Sequence, residues 1–400
     1  MRNNTLNRRG ETMDYKCTNP FEFTLPTKII FGPGCVKHLP DAIKEIGGRK
    51  PLVITDPGIR KAGIDQIITN LLDAAGIEYG LFDGVEANPK DVNAEAAAKA
   101  AREVGADFLI AVGGGSPIDC AKAVGVLLAH DAEFIKPYEG KTAATLPNPP
   151  LITIPTTSGT GSEITFSSVI TDTKNKYKMT VKSPYTAATT ALCDPELTLT
   201  VPPAVTAATG VDALTHSIEG FTATCSEPIG DAAALYSIEL IAKNLVGAYR
   251  DGSDLGARSN MLMASMLGGI SFSHSDVASV HCIAEALGSM YDLPHGTCNA
   301  IFLPYVMEYN MDYCIDRYAR VATALGLTFD TDAEGAAKAV EYVKQLTKDV
   351  ELPTFASLDP DPADFPALAQ MAYNNGSNGS NPRPMEVSDY EALLKIVYEG

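Results

Sequence analysis

Asp212 and His216 stand four residues apart in GVDALTHSIEG. His281 and Glu285 repeat that spacing in HCIAEALGSMYDLPHG, and His295 follows in a Pro-His-Gly turn. In a helix, positions i and i+4 lie on one face, one turn apart. Each segment therefore offers two candidate ligands side by side. One carboxylate (Asp212) with three imidazoles (His216, His281, His295) suits a divalent ion such as Fe(II), Zn(II), Mn(II) or Co(II). No thiolate accompanies them, which argues against a closed structural zinc site, and an expandable four-ligand site leaves room for a substrate oxygen. The competing reading makes each histidine a satisfied core or surface group. Of the 6 histidines, His38 and His274 lack such neighbours and read as structural, while His130 reads as a cap at a helix C-terminus, where a cation is favourable.

A second chemistry lies upstream. The apolar run DFLIAV leads straight into Gly113-Gly114-Gly115-Ser116-Pro117, with Asp119 and Lys122 in the turns that follow. A strand, a glycine turn and a helix N-terminus together make an anion site, because the backbone comes close and the free amides and helix dipole attract negative charge. A plain tight turn is the alternative, and such a loop alone is weak evidence. A second loop supports it: LITIP ends in Thr156-Thr157-Ser158-Gly159-Thr160-Gly161-Ser162, rich in hydroxyl donors and placed where α/β sheets bind ligands. Two such loops point to a pyrophosphate. Asp56, after PLVIT, either caps the next helix or accepts from ribose hydroxyls, which favours NAD over NADP. The spacing is not that of the GxGxxG fingerprint.

These residues need elements to hold them. Compact apolar runs at KIIFG (28–32), PLVITD (51–56), YGLFDG (79–84), DFLIAV (107–112) and LITIP (151–155) read as buried strands. Helical patterns fall between them: Ile64, Ile67, Ile68, Leu71, Leu72 and Ala75 keep one face, and 92–105 and 118–130 read as further helices. The alternation predicts a parallel sheet covered on both faces. Beyond about 200 the pattern becomes helical, over 206–222, 229–250, 257–270, 279–290, 315–326 and 333–349. The expected fold is therefore an N-terminal dinucleotide-binding parallel-sheet α/β domain (1–200) followed by a C-terminal all-helical metal-binding domain (201–400). DPELTLTVPP at 194–203 marks the joint, and NNGSNGSNPRP at 374–384 reads as a surface loop.

Composition narrows the function. With 31 basic and 49 acidic residues the net charge is -18, which disfavours nucleic acid and anionic membranes as partners. No apolar run is long enough to span a membrane. The polar start MRNNTLNRRGETMDYK lacks the core of a signal peptide. A cytoplasmic enzyme is expected, with Met13 as an alternative start. The 8 cysteines (17, 35, 120, 193, 225, 282, 298, 314) are scattered without a CxxC pair and read as reduced and structural.

In its ordered motifs the chain resembles the iron-containing (group III) alcohol dehydrogenase family. These are FGPG at 31–34, TDPGIRKAG at 55–63, NP at 88–89, VGGGSPIDCAKAVG at 112–125 and PTTSGTGSEIT at 155–165. DPELTLTVPP at 194–203, TAATGVDALTHSIEGF at 206–221, LPHGTCNAIFLPYVMEYN at 293–310 and NPRP at 381–384 follow. The resemblance covers nearly the whole chain. It implies a metal in a cleft between the two domains, held by Asp212, His216, His281 and His295. It implies NAD contacts at Asp56, Asn88, Gly114, Gly115, Ser116, Pro117, Asp119, Thr156, Thr157, Ser158, Gly159, Thr160, Lys178 and Leu197. It also implies homo-oligomers, and reversible hydride transfer between NAD(H) and a small primary alcohol or diol and its aldehyde, with Fe(II) or Zn(II) as Lewis acid.

Two positions depart from the family pattern. Where the motif usually reads HAMAHxLG, the second histidine is Glu285 here; and His274 stands where AFxNA usually has asparagine. Glu285 has three readings: a general base, a fifth ligand, or a solvated residue with no role. A carboxylate beside the substrate repels anions, so a neutral substrate is expected. The alternatives in other classes are a dehydroquinate-synthase-like NAD- and metal-dependent lyase, a glycerol-dehydrogenase-like polyol enzyme and a non-catalytic NAD-binding protein. The lyase requires basic residues for a phosphorylated substrate, and the segments around the ligands are poor in them.

Overall fold

A computed structural model describes residues 20–400; Cys17, Met13 and the polar start lie outside the described residues. The chain begins β1 (Lys28–Phe31), α1 (Leu39–Ile46), β2 (Pro51–Ile54), α2 (Pro57–Ala62), α3 (Ile64–Ala74), β3 (Gly80–Phe82), α4 (Asp91–Val104), β4 (Phe108–Gly113), α5 (Gly115–Ala129) and β5 (Leu151–Pro155). Next come β6 (Ser167–Asp172), β7 (Tyr177–Lys182) and β8 (Thr190–Cys193). Helices make up the rest: α6 (Pro203–Thr222), α7 (Pro228–Arg250), α8 (Leu255–His274), α9 (Ser279–Tyr291), α10 (His295–Asn310), α11 (Ile315–Ala324), α12 (Asp332–Asp349), α13 (Phe365–Asn374) and α14 (Val387–Glu399).

A six-stranded sheet runs β1-β8-β5-β4-β2-β3, and every pairing in it is parallel. Strands β2, β4, β5 and β8 are buried at every position, because helices cover both faces and no residue needs to be polar for solvent. One apolar cluster, with Leu52, Ala98, Leu109 and Val124, fills one side of the sheet, and another, with Val53, Ile68, Ile110 and Ile154, fills the other. A larger cluster holds the helical half together. A small one, with Ala191 and Cys193 of β8 and Leu262 and Met266 of α8, joins the two halves. The parallel-sheet α/β half followed by helices is thus the observed architecture.

The differences from the expected elements are informative. β6 and β7 form an antiparallel hairpin apart from the main sheet, and their burial alternates along the strand. One face packs inward; the other carries Ser, Thr and Lys, so the segment has no apolar run to announce it. β8 is short, and the apolar signal of TALC is brief. His295 opens α10 at its first residue instead of sitting in a turn. The 374–384 segment is not a free surface loop: Ser380 and Asn381 are buried. Asn381 and Asn310 exchange hydrogen bonds of 2.8 and 3.0 Å, so asparagines that suggest solvent satisfy one another inside.

Candidate metal centre and cofactor cleft

The C-terminal half places the four candidate ligands from three helices. Pro202 and Pro203 start α6, where the missing amide costs nothing. Two turns on, Asp212 and His216 point from one face of that helix. His281 comes from the first turn of α9 and His295 from the first residue of α10. One ligand atom from each of Asp212, His216, His281 and His295 lies within 4.8 Å of the others. The His216 and His281 rings are 4.5 Å apart, and His281 and His295 5.2 Å.

The surroundings suit a divalent cation. Burial holds His216 down at about 4, only partly offset by Asp212, and holds His295 well below the usual range with Lys178 adding to the effect. Both are therefore neutral imidazoles, the ligating form. His281 differs. Burial pushes its pKa down, but the hydrogen bond and charge of Glu219 outweigh this and leave it raised. Glu219 Oε2 accepts from His281 Nδ1 (2.6 Å) and from the Ala278 amide (2.9 Å), while Oε1 accepts from the Val280 amide (2.7 Å). A buried carboxylate thus caps α9 and turns the Nε2 of His281 toward the cluster, the arrangement by which carboxylates orient metal-bound histidines. His216 Nδ1 is likewise engaged, at 3.2 Å from the Gly159 carbonyl, and Phe272 stacks on its ring at 4.4 Å.

Asn299, one turn along α10 from His295, closes the group. Its Nδ2 donates to Asp212 Oδ1 (2.6 Å) and lies 3.1 Å from His281 Nε2 and 3.2 Å from His295 Nε2. Glu219, Phe272 and Asn299 went unnoticed in the sequence. Helical spacing was the only available signal: Glu219 sits three residues after His216, and Asn299 four after His295.

The glycine loop and the Thr/Ser loop meet at the ends of β4 and β5. Gly113 has φ 147°. A Cβ on Gly114 would come within 2.9 Å of Thr157 Oγ1, and one on Gly115 within 2.8 Å of Thr160, so side chains are excluded where the loops touch. Thr156 is buried and its hydroxyl has no hydrogen-bond partner among the described residues, a donor awaiting an acceptor. With the free N-terminus of α5 beside it, this cradle fits a dinucleotide pyrophosphate. Gly159 packs on α6, where a Cβ would lie 2.6 Å from Thr209.

A cavity of about 670 Å³ runs between the halves, lined by Gly115, Ser116, Asp119 and Thr160 on one side and by His216, His281, His295 and Glu285 on the other. Asn88 and Lys178 also line it, joined by a 2.9 Å hydrogen bond from Lys178 Nζ to Asn88 Oδ1. Gly114, Pro117, Thr156, Thr157, Ser158 and Gly159 lie in the joined loops and not on its wall. Asp119 is committed inside the protein, accepting from Ser162 Oγ (2.5 Å) and the Val169 amide (3.0 Å). Asp56 caps α2 through Oδ1, accepting from Gly58 and Ile59, and its Oδ2 faces Gly113. Leu197 is not brought together with the others. It lines a separate hollow of about 360 Å³ with Val36, Asn70 and Leu71.

Glu285 is half-buried, lines the cavity and accepts from Asn375 Nδ2 at 2.6 Å. Burial raises its pKa, against the charges of Lys178 and His281. It has a fixed partner in Asn375 and stands outside the four-residue ligand group. Asn375 belongs to the 374–384 segment that the sequence suggested to be plain surface. His274 is tied down elsewhere, stacked on Phe23 at 4.0 Å. His130 ends α5 with its Nδ1 3.0 Å from the Val126 carbonyl.

The iron-containing alcohol dehydrogenase family matches residues 26–195, and the C-terminal region of the same family matches residues 206–398. The chain is 38% identical over 383 residues to 1,3-propanediol dehydrogenase of Klebsiella pneumoniae, covering 94% of this chain and 99% of that one. It is also 38% identical to choline dehydrogenase of Bacillus subtilis (strain 168), covering 98% and 97%. A crystal structure of 1,3-propanediol oxidoreductase superposes with a TM-score of 0.92 at 37% identity, covering 95% of this chain and 100% of that one.

Proposed function

The chain belongs to the iron-containing alcohol dehydrogenase family of NAD- and metal-dependent oxidoreductases, and from that premise we propose which of its residues hold the cofactors and perform the chemistry. The reaction is R–CH₂OH + NAD⁺ → R–CHO + NADH + H⁺, or its reverse. Asp212, His216, His281 and His295 hold the divalent ion. Gly114 to Pro117 and Thr156 to Thr160 hold the pyrophosphate, and Asp119 ties their helix to Ser162 and Val169 beside it; Asp56 receives the ribose and disfavours a 2′-phosphate. Asn88 and Lys178 complete the cofactor contacts, and Leu197, in a hollow of its own, is left out of them.

When bound, the ion supplies Lewis acidity at the substrate oxygen and the nicotinamide accepts or gives the hydride. The protein's own part is position and proton. Glu219 and Gly159 fix the tautomers of His281 and His216. The apolar face of Phe272 keeps water off His216. Glu285, raised by burial and steadied by Asn375, takes the alcohol proton in oxidation and returns it in reduction. The observation that carries this reading is the convergence of the four ligand atoms on a cavity whose opposite wall is the glycine turn. Full-length similarity to alcohol dehydrogenases favours it over the lyase and over a non-catalytic binder.

We further propose a division at about residue 200, since the sheet ends at Cys193 and α6 starts at Pro203. The protein is proposed to be cytoplasmic and homo-oligomeric; among the described residues no helix is long and apolar enough to cross a membrane. The test is a panel of alcohols, diols, polyols and aldehydes with NAD(H) and NADP(H), on protein loaded separately with Fe(II) and Zn(II). NAD-linked turnover is expected, and inactivity on every alcohol and aldehyde would overturn the reading.

A further inference from the structure

The floor of the cavity is the β6–β7 hairpin. Its cross-strand pairs Thr171–Lys178, Val169–Thr180 and Ser167–Lys182 all line the cavity. The alternate residues Ser168, Ile170, Met179 and Val181 are buried on the other face. β7 is therefore a ruler. Lys178 marks its inner end, beside α9, where a Cβ on Gly288 would lie 3.0 Å from its Nζ. Lys182 lies four residues further out, about 13 Å at strand rise.

The two lysines are held differently. Lys178 is bound to Asn88. The ammonium of half-buried Lys182 has no hydrogen bond or close ion pair among the described residues. Lys141 is brought beside it because Gly140 is clamped to β7, donating to the Thr180 carbonyl (2.8 Å) and accepting from the Lys182 amide (2.9 Å). Lys141 too has no such partner. Two acids are nearby, and among the described residues neither makes a hydrogen bond or close ion pair with Lys182 or Lys141, although the charge of Asp276 still acts on Lys182 and sets one acid against the two lysines. Asp276, facing Lys182 from the helical side, accepts from Ser377 Oγ (3.0 Å), Ser380 Oγ (3.3 Å) and the Val277 amide (3.0 Å). Glu139 accepts from Lys136 Nζ (2.8 Å) and Tyr177 Oη (2.7 Å). Burial lowers the pKa of Lys182, Asp276 offsets this, and the like charge of Lys141 adds to it. An anion between the two ammoniums relieves both burial and repulsion.

We infer that the cavity takes an alcohol or aldehyde whose far end is an oxyanion (a carboxylate, sulfonate or phosphonate) gripped by Lys182 and Lys141, while its reacting oxygen sits at the metal centre. This rests on the oxidoreductase reading and adds the substrate class to it. Glu285 taken alone suggests a neutral substrate. In the folded protein it stands at the inner end, hydrogen-bonded by Asn375 and opposed by Lys178, while the unpartnered positive charge is at the outer end.

The experiment uses the metal-loaded protein and NADH with short aldehydes of matched length, ending in carboxylate, sulfonate, phosphonate, methyl, hydroxyl or trimethylammonium. The expected result is a kcat/KM for at least one oxyanion about 10-fold or more above its uncharged match, carried in KM and falling as salt rises. The three oxyanion arms identify which group is preferred. Lys182→Met should cut the ratio of charged to uncharged kcat/KM by about 10- to 100-fold. Lys182→Arg should keep most of it, and Lys141→Gln should cut it less. Preference for uncharged or cationic aldehydes, or a Lys182→Met ratio equal to that of the parent, overturns this inference and leaves the oxidoreductase reading standing. Failure to reduce any aldehyde overturns both.

Discussion

Replacing Glu219 by glutamine should weaken metal binding although Glu219 is not among the four ligands. The carboxylate accepts three bonds: from His281 Nδ1 and the Ala278 amide on Oε2, and from the Val280 amide on Oε1. An amide has one acceptor oxygen. With that oxygen toward His281, the Val280 amide faces an NH₂ group; reversed, the His281 and Ala278 donors do. At least one buried donor is left unmet, at about 1–3 kcal/mol, and His281 loses the charge that fixes its tautomer. Loss of such a partner costs about 10- to 100-fold in metal affinity, or about 1.4–2.7 kcal/mol. The assay is a competitive chelator titration with Zn(II), alongside thermal unfolding of metal-free and metal-saturated protein. Both the affinity and the metal-induced rise in Tm should fall. A Glu219→Gln protein that is less stable without metal, yet binds Zn(II) within about twofold of the parent, would refute the reasoning and leave Glu219 as a helix cap only.

Glu285→Gln should lower kcat by about 10²- to 10⁴-fold and remove one limb of the pH profile, with metal content unchanged; unchanged rate and profile would remove the acid–base role. Gly159→Ala should weaken NAD(H) binding by about tenfold in isothermal titration, since a methyl 2.6 Å from Thr209 must push the loop off α6 at about 1–2 kcal/mol. Asp172 holds the β6–β7 turn. Burial works against its charge, but Asn175 and Lys136 bring its carboxyl down to about 2. Being depressed in the folded protein, it contributes stability that is full above its unfolded value of about 4 and is lost as pH falls through about 2. Asp172→Asn should thus destabilise the protein at neutral pH and show less additional loss between those pH values, as read by acid unfolding.

Much of this protein is determined locally and so was legible in the chain. Runs such as PLVI and FLIAV, four and five apolar residues bounded by turn residues, are too short for a buried helix and so read as buried strands. The i, i+4 spacing of Asp212 and His216 holds in any helix. The glycines at 113–115 allow the backbone to turn tightly between strand and helix and to be approached closely. Tertiary structure decided the rest. Lys178 and Lys182 come from a hairpin whose outward face is polar, so no apolar pattern marked it. The sequence near the ligands is poor in basic residues, but folding carries lysines from 141, 178 and 182 to the same cavity. Asn375 reaches Glu285 across 90 residues, and Glu219 meets His281 across 62. The physical reason is the same throughout: periodicity and turn chemistry record what a residue does with its neighbours in sequence. A charge's partner, and hence its pKa and its use, depends on which distant elements pack beside it.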